Sequence, residues 1–332
     1  MIINVHYVGW MLEIIKLIYN IIFIITKMNL VYSFIGILPS YIIESIYQAR
    51  LFFDGNIYLI IDDYTSPYLK ILKKNFNVKV LDYQIYRDET FIDAFNSKIT
   101  DFESPYINNL EGRELLFIRS YERLFLVNNL IKKLNLKDTL TLELDNLIYS
   151  NPKLLLDYFR KSGEYTAMAS FKNHHCIGYM YIKNDLDKIT NFLLEFIYDN
   201  NNIYRNIYDK ITEMKAIYAY QKKYNDLYLL PIFYKRLDIN TDCYKNYDKL
   251  LFDSGCHGIN IIGRDNYHNK PLDYLYITNK DNRIKYNWKK DENGFIKPYI
   301  FDINKKEWIL LNNLHVHSKE LNKCLSKPLE FK

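Results

Sequence analysis

Glycine is scarce in this chain, ten in 332 residues, and none falls in a GxGxxG or GxxxxGKS pattern. The Gly-rich phosphate loops of dinucleotide-binding and P-loop proteins are thereby excluded, and any phosphate must be held another way. Cysteine is sparse too. Cys176, Cys243, Cys256 and Cys324 lie far apart with no CxxC pair, so neither a zinc site nor a disulfide framework is indicated, and a reducing compartment is expected. No compact basic run occurs. The formal charge of +5, from 44 basic and 39 acidic residues, is too evenly scattered to point to a nucleic-acid partner. A long uninterrupted apolar run is missing as well: Leu17 to Ile25 falls short of the roughly 20 residues a bilayer span takes. Residues 1–27 therefore read as an apolar extension, broken by Glu13, Lys16 and Asn20, that does not span a membrane but offers a means of associating with one.

What is present is enough apolar material, 49% of residues, for one large domain over 28–332. The 32 tyrosines accompany many Asn, Ile and Lys, as in the usage of an AT-rich genome, and read as packing rather than stacking platforms. From Asn29 the pattern alternates strand and helix. NLVYSFIG predicts a strand, Pro39 to Arg50 a helix, Ile57 to Asp63 a strand of the continuous apolar type buried in parallel sheets, Ser66 to Asn75 a helix and Val78 to Leu81 a strand. This is the opening of an α/β fold with a doubly wound, mostly parallel sheet and helices on both faces. Asp62 and Asp63 end the second strand at its carboxyl end, where such sheets bind ligands; a turn or helix cap is the alternative.

A helix over Glu111 to Leu134 follows, with Phe117, Tyr121, Leu124, Val127, Ile131 and Leu134 as its apolar stripe. Arg119 and Arg123 sit one turn apart beside that stripe, in reach of a phosphate or of acidic side chains, or simply solvated. Next comes TLTLELDNLIYS, Thr139 to Ser150. As a strand it places Leu140, Leu142 and Leu144 on one face and Glu143 and Asp145 on the other. Paired carboxylates at the end of an apolar strand are costly to bury without a positive partner, so either a divalent cation sits there or the strand runs out into solvent. Further on, helices are expected at Lys153 to Lys161, Asp185 to Asp199 and Tyr208 to Lys223, and strands at Tyr165 to Ser170, Ile177 to Ile182 and Leu227 to Leu230. LFDSGCHGINIIGRDN, Leu251 to Asn266, reads as a polar loop holding Asp253, His257, Asp265 and Asn266. LHVHSK, from Leu314, puts His315 and His317 on one side if extended, with Lys319 two residues on.

LELDNLIY, the block ERLFLVNNLIKKLNLKDTLTLELDNLIY, the later LFDSGCHGINIIGRDN and the final LHVHSK together resemble nucleotide-sugar-dependent glycosyltransferases of the GT-A fold, of a type found in bacterial and giant-virus polysaccharide systems. The resemblance implies a Glu-x-Asp variant of the Asp-x-Asp motif, with Asp145 on a divalent Mn²⁺ or Mg²⁺ and Glu143 first in the motif. In that place Glu143 is also suited to a ribose or amide hydrogen bond. It further implies His317, or else His315, as the histidine completing the metal site. Lys319, Asp62 and Arg123 would face the nucleotide sugar, and Asp253 is the candidate catalytic base. The partners implied are a nucleotide-sugar donor and a glycan or protein acceptor, in the cytoplasm, or the host's if the chain is viral. A sugar nucleotidyltransferase, or a sugar- or nucleotide-binding protein without transferase activity, are the competing readings.

Overall fold

A strand buried between two helical layers must be apolar along its whole length, and each covering helix needs only one apolar stripe. The chain from residue 29 onward is written that way. The computed structural model describes residues 28–98, 116–171, 174–199, 211–232, 250–263, 285–302 and 306–330. The extension over 1–27, the start of the helix expected from Glu111, the start of that expected from Tyr208, and Asp265 and Asn266 lie outside the described residues.

β1 (Asn29–Phe34), α1 (Ile42–Phe52), β2 (Asn56–Ile61), α2 (Tyr68–Phe76) and β3 (Val78–Asp82) form two successive strand–helix–strand units. α3 (Tyr83–Tyr86), α4 (Glu89–Ser97) and the long α5 (Leu116–Leu134) then lead back to β4 (Thr139–Leu142), which lies on the other side of β1. All three pairings among β1 to β4 are parallel. The second half adds α6 (Leu156–Ser162), β6 (Tyr165–Phe171), β7 (His174–Cys176), β8 (Tyr179–Ile182), α7 (Asp187–Ile197), α8 (Glu213–Tyr224) and β9 (Leu227–Leu229). β8 inserts between β4 and β6, antiparallel to both, β7 pairs antiparallel with β6, and β9 pairs parallel with β6. The result is a mixed, mostly parallel sheet of eight strands. This is the α/β architecture the sequence implies.

Alternation along the strands divides the interior in two. Leu30, Tyr32, Ile57, Leu59, Leu140 and Leu142 pack on one face with Ile42 and Ile46 of α1, Leu72 of α2 and Phe159 of α6. Val31, Tyr58 and Ile60 pack on the other with Tyr121, Leu124 and Val127 of α5, Phe192 of α7 and Tyr220 of α8. Because β4 is covered on both sides, Thr139 and Thr141 are as buried as the leucines, and no face of this strand meets water. Leu134, expected in the α5 stripe, is instead 41% exposed at the helix end.

Two sequence expectations are overturned. The strand through Thr139 to Ser150 is not continuous: β4 stops at Leu142, the chain turns over Glu143–Asn146, and β5 (Asn146–Ile148) leaves the main sheet. The stretch from Leu251 is not a polar loop either. Leu251, Phe252, Asp253, Cys256 and His257 are buried, and a helix, α9 (Cys256–Ile262), forms within it. Backbone can enter the interior there because the Asp253 carboxylate accepts its N–H groups, as detailed below.

Three antiparallel strands, β10 (Tyr286–Lys290), β11 (Ile296–Asp302) and β12 (Glu307–Leu310), form a separate meander over a small core of Leu147, Tyr149, Ile300, Ile309 and Leu314. β13 (Asn313–His315) follows directly and pairs with β5. No helix among the described residues is long and apolar enough to cross a membrane.

Candidate metal and nucleotide site

The site is built at the carboxyl end of β4, where a parallel sheet leaves strand ends open to ligand. Asn146 N donates to Glu143 O at 3.0 Å, closing the turn, while Glu143 N and Asn146 Nδ2 both donate to Gly178 O, at 2.9 and 3.0 Å. The turn redirects the chain into β5, whose antiparallel register with β13 sets Asn313 opposite Ile148, Leu314 opposite Leu147 and His315 opposite Asn146. Val316 N donates to Asp145 O at 2.7 Å and fixes the end of that ribbon. Two segments distant in sequence are thus locked by backbone bonds so that His315 stands over both carboxylates.

His315 Nε2 lies 3.2 Å from Glu143 Oε2 and 3.3 Å from Asp145 Oδ2. One donor atom from each of these three residues lies within 4.8 Å of the others, which is metal-binding spacing. Arg123 Nη1 holds the other Glu143 oxygen at 2.5 Å, and Lys319 Nζ pairs with Asp145 Oδ2. Glu143 is three-quarters covered and Asp145 more so. Burial alone would raise both acids, but the attraction of Arg123 and His315 outweighs it for Glu143 and brings it to about 2. Lys319 and His315 likewise hold Asp145 well below the usual carboxylate range. Burial disfavours a charge on His315, but Asp145 and Glu143 prevail and raise it well above the ordinary histidine value. Two anions and three surrounding cationic groups therefore form one closed cluster.

His317 does not share it. Its ring stacks on that of His315 at 4.3 Å between centroids and 24° between planes, and its Nε2 crowds Gly255. Burial and the charge on His315 depress it to about 3, so it is a neutral aromatic wall. Of the two histidines expected near a metal, it is His315, and not the preferred His317, whose Nε2 lies on both carboxylates. Adjacent candidates on one strand side cannot be ranked without the register, and the register is set by the far strand.

Asp253 also has a different place from the one expected. It is fully buried; Oδ1 accepts from Gly255 N and His257 N, both at 2.8 Å, and Oδ2 accepts from Gly258 N and His315 N, both at 2.9 Å. A general base needs an oxygen facing the proton it removes. Asp253 has both oxygens committed to backbone, so its role is to clamp α9 to the strand carrying His315. Asp62 is exposed at the end of β2 and accepts from Gly36 N at 2.7 Å, on the same sheet edge as Glu143 but with β1 between their strands. Neither face of the cluster includes it.

Sequence reasoning missed several supports. Asn313 Nδ2 donates to Asn146 Oδ1 at 2.8 Å and to Asp253 O at 2.9 Å, tying the turn, the clamp and β13 together. Gly178 passes so close that a Cβ there would lie 2.7 Å from Glu143 Oε2. Glu213 is buried at the start of α8, within a stretch whose sequence predicts only a helix. Burial pushes it up to about 7, Glu143 adds to the rise, and Arg123 opposes it. The one sequence signal available was Thr212, a good N-cap, immediately before an acid.

No protein-family model matches the chain, and no curated protein matches it by sequence. Among solved structures, the apo form of mouse xyloside xylosyltransferase 1 is similar at 11% identity over 61% of this chain and 85% of that one, with a TM-score of 0.46. An active-site mutant of LgtC is similar at 13% identity over 66% of this chain and 82% of that one, with a TM-score of 0.41. A putative glucose-1-phosphate thymidylyltransferase from Bacillus anthracis is similar at 9% identity over 61% and 85%, with a TM-score of 0.34. At such identities and scores none of these carries a function to this chain.

Proposed function

We propose that this protein is a metal-dependent glycosyltransferase that moves a sugar from a nucleoside-diphosphate donor to a hydroxyl of a glycan or protein acceptor. The observation that carries the reading is the convergence of Glu143, Asp145 and His315 at the carboxyl edge of a mostly parallel sheet, with Lys319 on the outer carboxylate. Two carboxylates and an imidazole suit a divalent ion, and the imidazole favours Mn²⁺ over Mg²⁺. Bound there, such an ion would neutralise charge on a departing diphosphate.

The chain's own groups supply the rest. Arg123 and the Asn146–Gly178 bond hold the turn rigid, so the carboxylates stay aimed when the donor arrives. Lys319, which pairs with Asp145, exchanges that carboxylate for the more highly charged diphosphate. Ile37, 87% exposed, and Tyr64, 46% exposed, flank the edge near Asp62 and offer apolar surface to a nucleobase. Asp62 then meets the nucleoside through a hydrogen bond.

The test is calorimetric titration of nucleoside diphosphates with Mn²⁺ and in EDTA, on wild type and Asp145→Asn. Binding that needs the metal and is lost in the variant, with its melting temperature retained, is the expected result. Equal affinity with and without metal would overturn the reading. A thymidylyltransferase-like reaction is separated from transfer by incubating nucleoside triphosphate and sugar phosphate, which should yield no nucleotide sugar.

A further inference from the structure

The two carboxylates of the candidate metal group are balanced by cations of unlike freedom. Arg123 Nη1 holds Glu143 at 2.5 Å, and the arginine side chain, on α5, is only 7% exposed. Lys319 Nζ holds Asp145 Oδ2, and the lysine side chain is 32% exposed. The backbone carrying Lys319 is pinned to the residue it pairs with: Val316 N donates to Asp145 O at 2.7 Å, and Lys319 N donates to Val316 O at 3.1 Å. The turn therefore stays, and the four-carbon stem of the lysine is the part that can swing. Oδ2 is also the oxygen 3.3 Å from His315 Nε2, so the ammonium engages the same atom that the histidine faces. A divalent ion ligated by Asp145 and His315 must contend with that ammonium for one oxygen, in a place where like charges are poorly screened. Even with His315 neutral, as a metal ligand must be, Glu143 and Asp145 are already matched by Arg123 and Lys319. A cation arriving alone adds only uncompensated positive charge. A diphosphate reverses this, because it carries more negative charge than one carboxylate and can draw the lysine away.

Resting on the glycosyltransferase reading, we infer that Lys319 is a built-in competitor of the metal ion: it occupies Asp145 against a free cation and yields that carboxylate when a nucleoside diphosphate takes the ammonium. The contact opposes the ion and supports the nucleotide. One side chain thereby couples the binding of the two.

The experiment measures Mn²⁺ binding without nucleotide, by calorimetry and by the electron paramagnetic resonance signal of the free ion, and repeats it with UDP or GDP present. Lys319→Met keeps the stem and removes the charge. It should bind Mn²⁺ alone roughly fivefold more tightly than wild type, while its affinity for the diphosphate at saturating Mn²⁺ falls about tenfold. Lys319→Arg keeps the charge and should stay within about twofold of wild type for Mn²⁺ alone. Lys323→Met removes a lysine that pairs with Glu320 instead, and should also stay within about twofold, which separates local competition from a change in overall charge. Mn²⁺ affinity that is unchanged or lowered in Lys319→Met, or raised equally in Lys323→Met, would overturn the inference alone. Wild type that binds Mn²⁺ but neither nucleotide would overturn the functional reading. Absence of Mn²⁺ binding from wild type and every variant would overturn both.

Discussion

Glu213 gives the most direct measure of how charge is distributed around Arg123. Its carboxyl is raised by burial from 4.5 to about 7, so the folded state holds its proton more tightly than the unfolded one. Stability from that proton is fully present below about pH 4.5 and is lost as pH climbs through 7; at about 1.4 kcal/mol per unit the loss is on the order of 3 kcal/mol. Glu213→Gln, which cannot ionise, should melt a few degrees above wild type at pH 8.5 and no higher at pH 5. A gap independent of pH would mean that Glu213 is not held protonated. Glu143, Asp145, His315 and Lys319 were legible as candidates because carboxylate and histidine spacing survives in a linear text. Glu213, and the burial of Arg123, were not: nothing in a lone glutamate at a helix start says which interior it faces.

The clamp between α9 and β13 is the element on which the site's shape depends. Asp253→Asn preserves size but turns one acceptor into a donor that confronts backbone N–H groups, stranding two of the four bonds. It should cost about 2–6 kcal/mol, at about 1–3 per stranded buried group, and lower the melting temperature accordingly. If instead the variant melts like wild type and loses only turnover, Asp253 is a catalytic group after all. Gly258→Ala should act similarly, since a Cβ there would collide with the His315 backbone carbonyl, which cannot swing aside like a side chain; loss of metal-dependent nucleotide binding in thermal shift is the readout. The parallel half of the sheet was readable because continuous apolar strands between stripes announce themselves. The reversal after Leu142 was not, since Leu144 continues the alternation of Leu140 and Leu142 into the turn. The β10–β12 meander was hidden by lysines and a proline, Lys289, Lys290, Lys297 and Pro298, in strands whose burial is one-sided.

At the scale of the whole molecule, the two sheet faces are filled by residues from 28 onward, with Met28 itself fully buried. A chain beginning at Met28 should therefore fold and bind nucleotide as the full chain does, and a purified shortened protein whose melting temperature falls sharply would refute this. Ending the chain after Asn312 has the opposite expectation: β5 loses its pairing strand, and Asp145 loses His315 and Lys319 together. Lys319 and Asp145 are 174 residues apart. During synthesis at about 5–20 residues per second the carboxylate turn waits on the order of ten seconds or more before its partners are even translated. Until then Glu143 and Asp145 have neither the imidazole nor the lysine, so a nascent or truncated chain lacks the third donor of the candidate metal group. On the proposed reading, metal-dependent protection against proteolysis should therefore distinguish a chain that carries His315 and Lys319 from one ended after Asn312.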